Sequence, residues 1–191
     1  MSRRAELVDE TRQRITVAAM RLHTTVGPSK ASIAAIAEEA GVTRLTVYRH
    51  FRDQDELFGA CMGHWMTLHA PPDPTTWAAL TGLEARARHA LAEVYAWYDE
   101  IGDQLYPIYR DIAAIPPQTR AIMDGPYVAM AEAIVGEDGP SSERAGLLRA
   151  VAGHLVSLST WRSLVNEQGL TTSEAVRLGG DWLLAVAAAL R

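Results

Sequence analysis

Residues 43–50 bring together side chains that can bond a nucleic acid. The guanidinium groups of Arg44 and Arg49 can bond phosphate oxygens or the edge of a guanine. Leu45 is apolar and can contact the methyl group of a thymine. The other polar side chains of the segment, which can bond phosphates or bases, are Thr43, Thr46, Tyr48 and His50. No carboxylate occurs between residues 40 and 52, so no negative side chain there repels a phosphate backbone.

The surrounding residues predict two short helices joined by a tight turn. Apolar residues recur at helical spacing in the first of them, at Ile33, Ile36, Ala37 and Ala40. Gly41 follows, and glycine tolerates the left-handed backbone that ends one helix before another begins. Thr43 is a good N-cap for the second helix, whose inner face carries Val47 and Phe51. This is the pattern of a helix-turn-helix, whose second helix enters the DNA major groove.

The same residues carry a resemblance to a known family. The run from Ile36-Ala37 through Ala40-Gly41-Val42-Thr43 to Tyr48-Arg49-His50-Phe51 and Leu57 resembles the TetR family of one-component transcriptional regulators. The resemblance covers about residues 10–60 and implies that residues 43–50 form the recognition segment, with Ser32 near a phosphate. Two positions depart from the family pattern. Leu45 stands where the family often has Gly, and Gln54 stands where a Lys usually touches phosphate.

We therefore predict a DNA-binding surface. Its residues are Lys30, Ser32, Thr43, Arg44, Leu45, Thr46, Tyr48, Arg49 and His50. Arg44, Leu45, Thr46 and Arg49 would approach bases, and the others would hold phosphates. Charge agrees with this placement, because residues 1–52 hold nine Lys and Arg against five Asp and Glu, a net +4, whereas the rest of the chain holds nine against eighteen, a net −9. Arg3, Arg4, Arg12 and Arg14 are expected to form a solvated fringe that attracts phosphate.

Helical periodicity without strand-like alternation predicts an all-α fold. The family resemblance implies an N-terminal three-helix DNA-binding domain with the helix-turn-helix, and a larger C-terminal helical domain for ligand binding and dimerisation. We place the first domain at residues 1–53 and the second at 54–191, with helix 54–69 connecting them. Asp53 and Glu56 fit a capping box. The other predicted helices are residues 5–26, 80–101, 104–114, 117–135, 142–168 and 173–190, with a Pro-rich break at 70–76 and a loop at 136–140.

Aromatic and methionine side chains in the second part of the chain have two interpretations. Their spacing fits an ordinary helical core, whereas the family resemblance implies a small-molecule pocket for an apolar or aromatic effector. The candidate ligand-binding residues are Met62, Trp65, Met66, Trp97, Tyr98, Tyr109, Met123, His154 and Trp161.

The last two helices carry more apolar surface than one inward stripe requires. We expect part of that surface to pair two helices from each subunit of a homodimer. The candidate dimerisation residues are Leu147, Val151, Leu155, Leu183, Val186 and Leu190.

Other classes of chemistry find little support in the sequence. Cys61 and His64 lie three residues apart on one predicted helix and could in principle bind a metal. A simpler interpretation is that Cys61 is a small core residue and that His64 faces water. We therefore predict no metal and no cofactor. The chain has no phosphate loop, nucleophile elbow or HExxH, and we predict no catalysis. The N-terminus lacks a signal peptide and no stretch is long enough to span a membrane, which favours a cytoplasmic protein.

The function predicted from these observations is a ligand-responsive, homodimeric DNA-binding transcriptional regulator. Its partners would be double-stranded operator DNA, an unknown small-molecule effector and a second copy of the chain, with no membrane. We expect a repressor that a small, largely apolar or aromatic molecule releases from its operator. The alternative is a helical small-molecule-binding protein without DNA-binding activity.

Overall fold

A computed structural model describes residues 3–136 and 142–190, and every regular element in those ranges is helical. The α-helices are α1 (Arg3–Thr25), α2 (Ile33–Glu39), α3 (Arg44–His50), α4 (Gln54–Leu68), α5 (Leu83–Arg110), α6 (Pro117–Val135), α7 (Ser142–Leu155), α8 (Leu158–Trp161) and α9 (Thr172–Ala189). Short 3₁₀ segments occupy Pro74–Ala79 and Ile112–Ala114, and a wider helical turn occupies Arg162–Glu167. The predicted all-α fold is confirmed. Within these ranges no helix is long and apolar enough to cross a membrane.

The helices pack into two compact units. The first unit comprises Met1–Ala70 and Asp103–Met123, and the second comprises Pro71–Gly102 and Asp124–Arg191. The Pro-rich break predicted at residues 70–76 coincides with one division between them. Because α4 packs on α1, it belongs to the first unit by packing. The functional domain boundary at residues 53 and 54 stays a prediction.

The first unit is built on one small apolar core beneath the two short helices. Its buried members are Ile15, Ala18, Ala19, Ile36, Ala37, Ala40, Val47, Phe51, Leu57 and Cys61. Cys61 donates a weak hydrogen bond to the Thr16 carbonyl, and burial raises the pKa of its thiol to about 12. This thiol is therefore a core group at neutral pH, because the reactive and metal-binding form is the thiolate.

Helix α5 is longer than the sequence predicts. The separate helices expected at residues 80–101 and 104–114 are wrong, because α5 runs without a break through Gly102 to Arg110. A Cβ at Gly102 would lie 2.5 Å from Cζ3 of Trp161, so this glycine makes room for an indole ring. A glycine inside a helical pattern can mark close packing as well as a helix end.

The predicted helix 142–168 is also wrong as a single element, because α7 ends at Leu155. The buried hydroxyls of Tyr95 and Tyr98 donate to the carbonyl oxygens of Leu155 and Val156, each over 2.8 Å. Ser157 then takes an extended conformation and accepts a hydrogen bond from the amide of Thr160, which starts α8. Two side chains from another helix thus bond the carbonyls that the end of α7 leaves open.

Arg86 holds the C-terminal end of α6. Its guanidinium is buried and donates to the carbonyl oxygens of Ile134 and Val135, both over 3.0 Å. A cation is favourable at this end of a helix, where the carbonyl dipoles leave partial negative charge. A loop is predicted at residues 136–140. Gly136 follows α6 with a φ of +61°, and residues 137–140 lie outside the described ranges.

His23 is a buried titratable group in the first unit. Its ring stacks on Phe58 with centroids 4.3 Å apart and an interplanar angle of 6°. Burial lowers its pKa from 6.5 to about 4, because the charged imidazolium loses its hydration there. The folded chain therefore carries His23 neutral at pH 7.

His23 is expected to make the folded state less stable as the pH falls. Between the unfolded pKa of 6.5 and the folded value of about 4, the unfolded chain binds a proton that the folded chain excludes. The free energy of unfolding should drop by about 2 kcal/mol between pH 7.5 and pH 5 through this one group. The measurement is urea unfolding of wild type and of His23→Gln at both pH values. The drop in the free energy of unfolding should be larger for wild type, and the excess is the contribution of His23. Equal pH dependence in both would contradict the assignment.

Candidate nucleic-acid interface

Hydrogen bonds from its own residues define both ends of α2. The Ser32 hydroxyl accepts from the amide of Ala35 and begins the helix. At the other end Gly41 has a φ of +64°, its amide donates to the Glu38 carbonyl, and the amide of Val42 donates to the Ala37 carbonyl. This pair of bonds is a Schellman motif, which requires a left-handed residue at the position of Gly41. The predicted turn is therefore present.

The next helix, α3, begins at once and is fixed by two apolar side chains. Thr43 caps it by accepting from the amide of Thr46 over 3.2 Å, and the two threonine hydroxyls bond each other over 2.9 Å. Val47 and Phe51 lie one turn apart and are 1% and 2% exposed. Because these two side chains point into the core, the opposite face of α3 must point outward.

That outward face carries the predicted contact residues. The exposed ones are Lys30, Ser32, Thr43, Arg44, Leu45, Tyr48 and Arg49, and the half-buried ones are Thr46 and His50. Leu45 is 68% exposed and Tyr48 is 60% exposed, although both carry large apolar surface. Single exposed apolar side chains are common on protein surfaces, so these two matter because they share the outward face of α3 with Arg44 and Arg49. Contact of these residues with DNA stays a prediction.

The imidazole of His50 differs from the arginines around it. Its partial burial, followed by the charges of Arg49 and Arg12, lowers its pKa below the ordinary value. In the free chain His50 is accordingly mostly neutral at pH 7, and a neutral imidazole has one N–H donor.

Two of the N-terminal arginines do more than the sequence predicts. Arg14 donates to the carbonyl oxygens of Ala40 and Gly41, so it bonds the turn between α2 and α3. Arg12 bonds the opposite end of α3, at the His50 carbonyl. Arg14 is exposed as expected but also bonds backbone, whereas Arg12 is half-buried and does not belong to a solvated fringe. The side chain of Arg4 lies outside the described part of the chain.

The start of α4 lies beside α3 and corrects one prediction. Asp53 caps the helix by accepting from the amide of Glu56 over 2.8 Å. The predicted capping box is incomplete, because the Glu56 carboxylate accepts from the amide of Arg52 instead of that of Asp53. Nearby guanidinium groups draw this carboxylate away from its own helix end. Gln54, the first residue of α4, is exposed.

The predicted ligand-binding residues are divided between the two units. Trp65 is buried in the first unit, where its Nε1 donates to the Gln104 side chain over 3.4 Å. The other candidates in that unit are half-buried: Met62, Met66, Tyr109 and Met123. In the second unit, Tyr98 packs between Trp97 and Trp161 with ring centroids 5.4 and 5.7 Å away. The Trp161 Nε1 donates to Asp99. Neither unit by itself gathers all of these residues, and ligand contact stays a prediction.

A cleft of about 360 Å³ opens in the second unit beside His154. It is lined by His154, Leu155, Ser159, Thr160, Ser163, Leu164, Leu178, Gly179 and Trp182. The rings of His154 and Trp182 meet edge to face there, with centroids 5.9 Å apart. Sequence reasoning missed Leu178 and Trp182, although their spacing of four places them on one face of a helix.

The same helices carry the predicted dimerisation residues, and two of these are misplaced. Leu155 and Leu183 are fully buried inside the chain, so they cannot face a second copy. Leu147 is 55% exposed, whereas Val151, Val186 and Leu190 are half-buried. The apolar side chains that α9 exposes are Leu178 and Trp182, at 49% and 47%. The helical phase is the reason, because a shift of one residue turns a side chain by about 100°.

Comparison with known proteins agrees with this arrangement. Residues 15–61, from α1 to α4, match the family model for bacterial regulatory proteins of the tetR family. The chain is 49% identical over 49 residues to the HTH-type transcriptional regulator AcrR of Shigella flexneri, and 41% identical over 68 residues to SrpR of Pseudomonas putida. These segments cover 26% and 34% of this chain, and 23% and 32% of the two relatives.

Solved structures of similar fold extend over nearly the whole chain. A tetR-family regulator from Streptomyces coelicolor has a TM-score of 0.65 at 23% identity and covers 96% of this chain and 84% of its own. NalD of Pseudomonas aeruginosa, described as the secondary repressor of the MexAB-OprM multidrug efflux pump, has a TM-score of 0.59 at 17% identity and covers 93% and 96%. At such identities the likeness concerns the fold. Residues 15–61 therefore carry the helix-turn-helix of the tetR family of bacterial regulatory proteins, and the all-α fold is similar to that of solved tetR-family regulators.

Proposed function

We propose that this chain is a homodimeric DNA-binding transcriptional regulator, and specifically a repressor that a small, largely apolar or aromatic effector releases from its operator. The observation that carries the proposal is the outward face of α3. Two guanidinium groups and a 68% exposed leucine stand on a short helix whose inner side chains are buried. Those chemical groups match the donor, acceptor and methyl pattern of the major groove.

Repression and effector response rest on the relatives and on one feature of the first unit. NalD is described as a repressor linked to a multidrug efflux pump. Within the first unit, Arg110 donates to the Val26 carbonyl over 2.9 Å, and Asp111 accepts from the amide and hydroxyl of Ser29. Residues 103–123 thus bond the corner between α1 and α2, and α5 and α6 both continue beyond this unit. A change in α5 therefore has a hydrogen-bonded route to the corner that precedes the helix-turn-helix.

Dimerisation would use the outer face of α7 and α9. Leu147, Val151 and His154 share one face of α7, and Leu178, Trp182 and Val186 share one face of α9. The contact between the rings of His154 and Trp182 joins these two faces. A twofold pair would give each DNA half-site one α3, with the half-sites about one helical turn or a multiple apart.

The DNA-binding proposal is tested by selection from random duplexes followed by Arg49→Ala. Wild type should enrich one sequence family, and the variant should lose about 1–3 kcal/mol of specific binding if Arg49 makes a bidentate base contact. Arg21→Ala is the matched control, because Arg21 pairs with Glu39 and has no contact with α3 among the bonds described. A chain that enriches no duplex in a salt-sensitive manner would instead fit the alternative of a small-molecule-binding protein without DNA-binding activity.

The effector proposal is tested with a panel of small aromatic compounds. A compound that quenches tryptophan fluorescence should also weaken binding to the selected duplex. Ser29→Ala removes a hydroxyl that donates to Asp111, so we expect it to keep both binding activities and to lose much of their coupling. A compound that binds without changing DNA affinity in the wild type would contradict the coupling.

The dimer proposal is tested by light scattering at micromolar concentration. Wild type should show twice the chain mass of 20.8 kDa. Leu178→Glu places a carboxylate on the proposed seam and should yield the single-chain mass, because an unpaired charge is costly to bury. Leu68→Glu, also on an exposed leucine, should remain a dimer. Wild type at the single-chain mass would overturn the proposal.

A further inference from the structure

The C-terminal end of α3 is held by two charged side chains that the DNA-contact proposal does not use. Arg12 of α1 donates to the His50 carbonyl, and its guanidinium carbon lies 4.1 Å from the centroid of the Phe51 ring. The same guanidinium bonds Glu56 of α4 over 3.0 Å. The arginine therefore contacts α3, the residue that follows it and α4 together.

Glu56 completes the arrangement from the other side. Its second carboxylate oxygen accepts from the amide of Arg52 over 2.9 Å and from the Arg52 Nε over 3.2 Å. These bonds, led by the Arg52 amide and followed by that of Arg12, lower the pKa of Glu56 to about 2. The carboxylate is therefore ionised at every pH at which DNA binding is ordinarily measured. Residues 50–52 are bonded from α1 and from α4 through one continuous network.

This network lies where α3 most needs support. The helix has seven residues, which is too short to be stable alone, and its own buried side chain is Val47. Val47 and Phe51 fix which face of α3 points inward, but two side chains one turn apart leave the tilt of the helix axis to other contacts. Arg12 bonds an open carbonyl at the C-terminal end, where a cation is favourable. Arg49 and His50, which lie at that end, gain a fixed direction from it.

We propose that Arg12 and Glu56 are a positioning pair that sets the angle of α3 in the major groove, and that they determine base specificity without contacting bases. The inference rests on the proposed DNA-binding function. Charge alone makes the opposite prediction for Glu56, because a carboxylate in a basic unit weakens the attraction to phosphate. Removing that carboxylate therefore distinguishes the two explanations. Positioning predicts weaker specific binding to DNA, whereas electrostatics alone predicts stronger binding.

The test is Glu56→Gln, assayed on the selected duplex and on an unrelated duplex at the same salt concentration. We expect specific binding to fall about tenfold while binding to the unrelated duplex stays equal or rises. Glu39→Gln is the matched control, since it also removes a carboxylate that pairs with an arginine, here over 3.1 Å. The described bonds join Glu39 to Arg21 of α1 and not to α3. The control should leave the ratio of specific to non-specific binding unchanged.

Arg12→Lys provides a second variant, because it keeps the charge and loses the planar fork that bonds several acceptors. It should lower the same ratio as Glu56→Gln, and it carries the test should Glu56→Gln fail to fold. Thermal unfolding shows which variants are folded. If folded Glu56→Gln binds both duplexes more tightly, or if both variants lose stability with an unchanged ratio, the positioning role is overturned. If the wild type prefers no duplex, the proposed function itself fails.

Discussion

The burial of Val47 and Phe51 is the constraint on which the N-terminal unit depends. A seven-residue helix has too little hydrogen bonding of its own to persist in water, so α3 exists because these two side chains enter a core shared by α1, α2 and α4. With its phase fixed in this way, Leu45 and Arg49 have no inward position available. The same packing that makes the helix stable also decides which side chains a nucleic acid would meet.

Polar contacts then refine what the apolar core allows. Arg14 bonds the turn before α3, and Arg12 bonds the carbonyl at its end. Asp111 bonds Ser29 at the corner between α1 and α2, and the Arg110 beside it lowers the pKa of the Asp111 carboxyl well below its usual range. Charged groups from distant parts of the sequence thus meet backbone atoms around the helix-turn-helix. Such contacts define geometry more than stability, because exposed ion pairs contribute little free energy.

The sequence predicts what depends on neighbouring residues and misses what depends on distant ones. Helical spacing, the cap at Thr43 and the glycine turn at Gly41 are local signals, and each is present in the structure. The end of α7 depends on two tyrosine hydroxyls contributed by α5, about 60 residues away, and Gly102 serves a ring from α8. The prediction that Leu155 and Leu183 face a second subunit is wrong because apolar composition does not show which face of a helix packs inside the chain. The roles of Arg12 and Glu56 require three helices to be placed before they can be recognised.

The proposed function requires α3 to occupy the major groove. Dimethyl sulfate footprinting on a selected duplex tests it most directly, because the reagent methylates guanine N7 in the major groove and adenine N3 in the minor groove. We expect protection of guanine N7 in two groups whose centres lie about 10 base pairs, or a multiple of that, apart. Protection confined to adenine N3, or N7 reactivity equal to that of free DNA, would contradict it.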